Sequence, residues 1–232
     1  LRNFGESFVV ALNISKAFDR VWHKALLAKL PAYGFNSSLI NLISSFLSDR
    51  SISVVVDGTT SSTYSISSGV PQGSVLSPLL FLLFINDLFG SSAVSCHSYA
   101  DDTTCHSSSK FKNPPSSEVR SASRIAMSHS INVGLEGVSA WGRQNLVNFN
   151  ASKTCFIPIS LSTFSSDYSI IFENTEIEPL SSINILGLNV NSKLSWRSHI
   201  EGLAKSASRK LGVLFRCRSF FSSSELLHLY VG

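Results

Sequence analysis

Two adjacent carboxylates, Asp101 and Asp102, follow Tyr99-Ala100 between runs of strand character. Neighbouring carboxylates repel one another, and any burial penalises both charged forms. A divalent cation removes that penalty, and Mg²⁺ in particular prefers carboxylate oxygens shared with the phosphates of a substrate. Two such ions can activate an attacking hydroxyl and stabilise the leaving oxygen in a phosphoryl transfer. A solvated Asp-Asp turn would have the same pattern, so the four residues alone leave both readings open.

The carboxylates need a frame. Residues 95–105 read as a hairpin with 99–102 at its tip, and the short apolar run 8–12 as a buried strand. Ala17, Val21, Leu26, Leu27 and Leu30 fall at helical spacing, stopped by Pro31 and Gly34. Asn36 caps a second predicted helix carrying Leu39, Ile43, Phe46 and Leu47. Residues 51–56 run into Asp57-Gly58, a hairpin turn signal, with 63–67 returning alongside. Residues 75–89 read as a buried apolar helix, 117–144 as a long helix, and 155–159, 169–172 and 183–190 as strands. Residues 196–221 form an amphipathic segment whose basic face holds Lys205, Arg209, Lys210, Arg216 and Arg218. Strands mixed with long helices predict an α+β fold, a sheet with helices on one face.

A second feature precedes the apolar helix. Ser68-Gly69-Val70-Pro71-Gln72-Gly73-Ser74 is a loop with two glycines, where backbone can approach a ligand closely. In order, Ile14-Ser15-Lys16-Ala17-Phe18-Asp19, the Gly-Val-Pro-Gln-Gly-Ser loop and Tyr99-Ala100-Asp101-Asp102 resemble motifs A, B and C of reverse transcriptases, in the variety found in LINE-like, jockey-type non-LTR retrotransposons. Trp141, Asn145, Asn150 and Lys153-Thr154 resemble motif D. Leu186-Gly187 with Leu194, Trp196, His199 and Ile200 resembles motif E and the start of the thumb. The resemblance covers nearly the whole chain.

It implies a reverse transcriptase palm, an antiparallel sheet backed by helices, over residues 1–190 with the fingers largely missing. Residues 191–232 would be the start of a helical thumb, cut short, and the chain reads as excised from something longer. The implied activity is RNA-directed DNA polymerisation: nucleotidyl transfer with two Mg²⁺ ions, or Mn²⁺ in their place. An RNA template, a DNA primer and deoxynucleoside triphosphates would be the partners. Asp101 and Asp102 would hold the metals. Phe18 would contact the sugar of the incoming nucleotide and exclude a 2′-hydroxyl, its plainer role being core packing. Gln72, with Gly73, would lie along the template and nucleotide. Lys153 would protonate the leaving pyrophosphate as a general acid, or serve only as a surface lysine.

One position departs from the family pattern. Five residues before the sugar-contacting aromatic, where the family carries its third metal-binding aspartate, stands Asn13. An amide brings no negative charge and sets an NH₂ donor where an acceptor oxygen is wanted. Loss of one preorganised electrostatic group costs about 10²- to 10³-fold in rate, and a lost metal ligand at least that. Asp19 sits too far along a helix from Asn13 to replace it and reads as a structural or surface residue. The alternative to an active polymerase is therefore an inactive remnant, or a domesticated protein that only binds nucleic acid or other partners.

Bulk properties are compatible with either. The 232 residues are 44% hydrophobic and carry 19 basic against 15 acidic side chains, a net charge of +4 that permits a nucleic-acid partner without requiring one. No membrane span or targeting segment is visible. Four scattered cysteines favour reduced thiols and an intracellular setting, nuclear or cytoplasmic by the resemblance. Cys96-His97 and Cys105-His106 flank the Asp-Asp turn at matching distances. That spacing fits no known zinc pattern, and they read as two strands of one hairpin.

Overall fold

Strand β1 (Glu6–Asn13) opens the fold in the computed structural model, which describes residues 5–91, 94–162 and 168–231. Helices α1 (His23–Lys29) and α2 (Ser37–Leu47) follow. Two small ladders come next, β2 (Arg50–Ile52) with β5 (Tyr64–Ile66) and, nested inside, β3 (Val55–Val56) with β4 (Thr59–Thr60) across Asp57-Gly58. Helix α3 (Leu76–Ile85) leads to the hairpin β6 (Ser95–Tyr99) and β7 (Asp102–Ser109), and then to the long helix α4 (Ser117–Asn145). Strand β8 (Cys155–Ser160) precedes two short hairpins, β9 (Ile171–Phe172) with β10 (Thr175–Glu176) and β11 (Ser182–Ile185) with β12 (Leu188–Asn191). Helices α5 (Arg197–Cys217) and α6 (Ser223–Val231) close the chain.

The central sheet is antiparallel throughout, ordered β6-β7-β1-β8. Along β1 the side chains alternate. Glu6, Phe8, Val10 and Leu12 are buried, whereas Ser7, Val9, Ala11 and Asn13 are half-buried on the opposite face. The buried face packs on the helical layer, where Phe81, Phe84 and Ile131 join Phe8 and Phe156 in the main core. Over the other face, Ile183 of β11 packs with Ile157 and Ile159 of β8 in a second, smaller core. The expected antiparallel sheet backed by helices is the observed architecture. A hairpin also covers part of its outer face.

Glu6 begins the alternation inside the core, its side chain fully buried. Arg124 of α4 binds it through two parallel bonds, Nε to Oε2 and Nη2 to Oε1, each 2.8 Å. Arg120, one turn earlier, adds 2.7 Å to Oε1, and Ser160 Oγ donates to the same oxygen at 2.9 Å. Burial pushes the Glu6 carboxyl up, but the bonds from Arg124, Arg120 and Ser160 and the Arg124 charge outweigh it and hold it below the usual glutamate value. The cluster ties β1, β8 and α4 at one point.

Four expectations need correction. The apolar spacing from Ala17 to Leu30 is not one helix: a 3-10 turn (Ala17–Arg20) and an extended Val21-Trp22 precede α1. There Val21 O accepts from Gly69 N, and Trp22 bridges to Ser68, so the incoming loop takes bonds a helix would have used. The run 183–190 is a hairpin, turned at Leu186 (φ 49°) and Gly187 (φ 81°). Helix α3 is buried on one side only, with Leu76, Leu79 and Leu82 exposed. Lastly, Cys96 and Cys105 are not free thiols. They stand directly opposite in β6 and β7, Cα atoms 4.1 Å apart, and form a disulfide.

The Glu6 cluster makes a prediction. Breaking a buried ion pair by removing one partner costs about 3–5 kcal/mol, so Glu6→Gln should lower the unfolding free energy by roughly that amount near neutral pH. The folded value is depressed, so this contribution is complete above the unfolded carboxyl range and is lost as pH falls through the lower folded value. Urea unfolding at a series of pH values should find the gap between natural and Glu6→Gln chains constant above about pH 5 and closing towards acid. A gap that widens in acid would contradict the assignment.

Candidate active site

The register of β1 on β7 decides the first group of residues. Asn13 is the direct partner of Asp102, so both side chains project from the same face of the sheet. Cβ atoms of such cross-strand pairs lie about 5 Å apart. Tyr99 pairs with Asp102 on the other side, which leaves Ala100 and Asp101 as a two-residue turn with Ala100 at φ 53°. Asp101 thus sits at the hairpin tip, next to Asp102. The turn that follows α4 docks at the same strand end: Asn150 N donates to Asn13 O at 3.0 Å, and the 3-10 turn Ala151–Lys153 follows directly. Lys153 is exposed at the end of that turn.

The second group is built where the glycine loop meets the segment after β1. Val70 N donates to Phe18 O and Gly69 N to Val21 O, both at 2.8 Å. His23 Nε2 lies 2.7 Å from Gly69 O; a carbonyl only accepts, so this nitrogen carries the proton. Gly69 stands at φ 88°, and a Cβ there would fall 2.9 Å from Asp19 Cα, so no other residue fits without backbone movement. Gln72 Nε2 donates to Asp19 Oδ1 at 3.1 Å. Phe18, Gln72 and Gly73 line a hollow of about 430 Å³ together with Ser74, Val75 and Pro78. The Phe18 ring also stacks on Phe81 at 4.9 Å, so core packing and a wall of the hollow are the same ring.

Asn13, Asp101, Asp102 and the Lys153 turn therefore gather at one end of the sheet. Phe18, Gln72 and Gly73 gather at the hollow, joined to the first group by the five-residue step from Asn13 to Phe18. The oxygen donors of the first group are two carboxylates and an amide, a hard-oxygen set that suits Mg²⁺ with one charge fewer than three carboxylates would give. Among the described residues no cluster of three His, Cys, Asp or Glu side chains could hold a metal. His97 and His106 stack ring on ring at 5.2 Å beside the Cys96–Cys105 bond, which removes the thiols a zinc site would need.

Two supports stand behind these groups, of which sequence reasoning gave Asp87 no role and Asp19 only a structural or surface one. Asp87 Oδ1 accepts from Lys29 Nζ at 2.7 Å and from Trp141 Nε1 at 2.9 Å, joining α1, the end of α3 and α4 behind the sheet. Burial lowers the Lys29 ammonium below its usual value, more than the hydrogen bond and charge of Asp87 raise it. The second support is Asp19, which holds the loop and Gln72. Its place directly after Phe18 was the only available signal.

Comparison with known proteins bears on the family and the fold. The sequence pattern of the family described as Reverse transcriptase (RNA-dependent DNA polymerase) matches residues 2–190. The RNA-directed DNA polymerase from mobile element jockey of Drosophila melanogaster is 30% identical over 208 residues, 86% of this chain and 21% of that protein. Its counterpart from Drosophila funebris is 27% identical over 230 residues, covering 94% of this chain and 24% of the relative. The chain thus spans under a quarter of the length of these relatives. Among solved structures, an apo telomerase from Candida tropicalis truncated from its C-terminal domain superposes with a TM-score of 0.51 at 14% identity, over 82% of this chain and 35% of the other, a likeness of fold.

The two loop glycines separate backbone strain from crowding. Both have positive φ, at which a side chain costs about 1–2 kcal/mol, but a Cβ at Gly73 meets nothing within 4 Å. In urea unfolding, Gly69→Ala should therefore lose clearly more stability than Gly73→Ala. Equal losses would mean that the contact with Asp19 does not fix the loop.

Proposed function

This chain belongs to the reverse transcriptase family, of the non-LTR retrotransposon kind, and from that premise we propose that it is the palm of an RNA-directed DNA polymerase whose metal site is disabled at Asn13. The pairing of Asn13 with Asp102 carries the reading. It gives the site two carboxylates and a neutral amide where the chemistry calls for three negative ligands. Residues 1–190 are read as the palm, supported by the match over 2–190, and 191–232 as the root of the thumb. No described side chain of α5 is buried, in keeping with a helix that projects from the palm. The terminal residues 1–4 and 232 lie outside the described residues.

In this reading a primer 3′-hydroxyl attacks the α-phosphate of a deoxynucleoside triphosphate and pyrophosphate leaves. Asp101 and Asp102, with the Asn13 amide oxygen, would hold Mg²⁺ or Mn²⁺. A bound divalent ion lowers the pKa of the attacking hydroxyl and neutralises charge on the phosphates. The chain's own residues do the rest. Phe18 walls the hollow on the sugar side, where its ring leaves no room for a 2′-hydroxyl. Gln72 and Gly73 border the nucleotide and template, and Lys153, on the turn beside Asn13, donates a proton to the departing pyrophosphate. RNA template and DNA primer lie across the palm, held mainly by phosphate and sugar contacts. No described helix is long and apolar enough to cross a membrane, and the proposed place of work is the nucleus or cytoplasm.

A second reading is a remnant that binds nucleic acid without copying it. Lys205, Arg209, Lys210 and Arg216 on the exposed α5 favour retained binding.

Primer extension on an RNA template separates the two. In a complete polymerase frame with fingers and thumb, Asn13→Asp should extend primers at least about 10²-fold faster than the natural chain, which should match an Asp102→Ala blank. Extension by the natural chain well above that blank would overturn the claim that Asn13 disables the site. No extension by Asn13→Asp would favour the remnant.

A further inference from the structure

Asp19 supports the glycine loop through its main chain. Its backbone carbonyl accepts from Ser68 Oγ at 3.2 Å, and its main chain is what Gly69 rests against. Its side chain does something separate: Oδ1 accepts from Gln72 Nε2 at 3.1 Å. A carboxylate takes hydrogen bonds and gives none, so the nitrogen end of the Gln72 amide must face Asp19. The two ends of an amide lie opposite each other, so this leaves Oε1 directed away from Asp19. Among the described residues Oε1 has no protein partner. Gln72 is exposed and lines the 430 Å³ hollow beside Phe18.

A ligand group that meets Oε1 must therefore be a donor. Phosphate oxygens cannot serve, whereas a sugar hydroxyl can. We infer that Asp19 is a positioning residue: it locks Gln72 with its carbonyl towards the hollow, making Gln72 an acceptor that selects for a sugar hydroxyl. Without Asp19 the amide turns about its last bond and offers nitrogen as readily as oxygen, and the selection is lost. The inference rests on the polymerase reading. The hydroxyl has two sources, the 3′-hydroxyl of an incoming nucleotide and the 2′-hydroxyls of an RNA template.

Equilibrium binding tests this, with Ca²⁺ replacing Mg²⁺ so that no turnover intervenes. One arm compares a primer on an RNA template with the same primer on DNA. The other compares a deoxynucleoside triphosphate with its 3′-deoxy analogue on the preformed primer–template complex. The chains are natural, Asp19→Ala, Asp19→Asn and Gln72→Leu. A single neutral hydrogen bond corresponds to roughly a fivefold preference. In one arm, which identifies the source, Asp19→Ala and Gln72→Leu should lose about fivefold of the natural preference for the hydroxyl-bearing partner. Asp19→Asn, whose amide can accept from Gln72 or donate to it and so no longer dictates which end faces the hollow, should lose part of it. Affinity for the partner lacking the hydroxyl should stay the same in the natural, Asp19→Ala and Asp19→Asn chains.

If Asp19→Ala does not fold, the near-isosteric Asp19→Asn, which leaves the Asp19 backbone contacts in place, makes the same comparison. Preferences unchanged in both arms would overturn the inference while leaving the polymerase reading intact. So would an equal loss of affinity for both partners, which is what a merely structural Asp19 produces. A natural chain that binds neither primer–template nor nucleotide would overturn the polymerase reading, and this inference with it.

Discussion

The pairing register of β1 is the constraint on which everything else depends. This strand pairs with β7 on one side and β8 on the other, and it separates the main core from the smaller one. Side chains in a strand alternate faces, so a slip of one residue would send Phe8, Val10 and Leu12 to the wrong side. It would also strand Glu6 without its arginines and take Asn13 out of line with Asp102. The buried Glu6–Arg124 pair at the start of β1 and the Asn13–Asp102 pairing at its end are thus two consequences of one register, seven residues apart. A buried ion pair adds little stability over apolar packing, but it penalises alternatives severely. Here the alternative it penalises is the slipped strand.

Around that register, short loops bring distant segments to the strand end. The glycine loop reaches Phe18 and Val21 through backbone bonds, and the motif D turn reaches Asn13 through Asn150. Backbone contacts of this kind fix positions without depending on the side chains that do chemistry. That separation makes the local geometry indifferent to asparagine or aspartate at position 13: Asn150 bonds to the Asn13 carbonyl, which is the same for both.

Much of this was legible in the sequence. A short apolar run gave the centre of β1, strand character around a turn gave the β6–β7 hairpin, and helical spacing gave α2 with its Asn36 cap and the long α4, whose Gly134 and Gly137 did not break it. The order of the motifs gave the family. Long-range pairings were not legible. Glu6 precedes an apolar run with no sign that Arg124, 118 residues on, will meet it. The split of the region from Ala17 to Leu30 depends on a loop 46 residues beyond His23, which competes for its backbone groups. Cys96 and Cys105 were placed on facing strands, but direct opposition follows only from the two-residue turn between Tyr99 and Asp102.

The central claim is that charge at position 13 sets metal affinity at Asp101 and Asp102. Its most direct test is a Mn²⁺ titration followed by electron paramagnetic resonance, natural chain against Asn13→Asp, with Asp101→Asn/Asp102→Asn as the reference for nonspecific binding. The account predicts that Asn13→Asp binds Mn²⁺ at least about tenfold more tightly than the natural chain, since restoring one carboxylate to a shared site contributes on the order of 1.4 kcal/mol or more. Equal affinities in the natural and Asn13→Asp chains, both well above the reference, would contradict it.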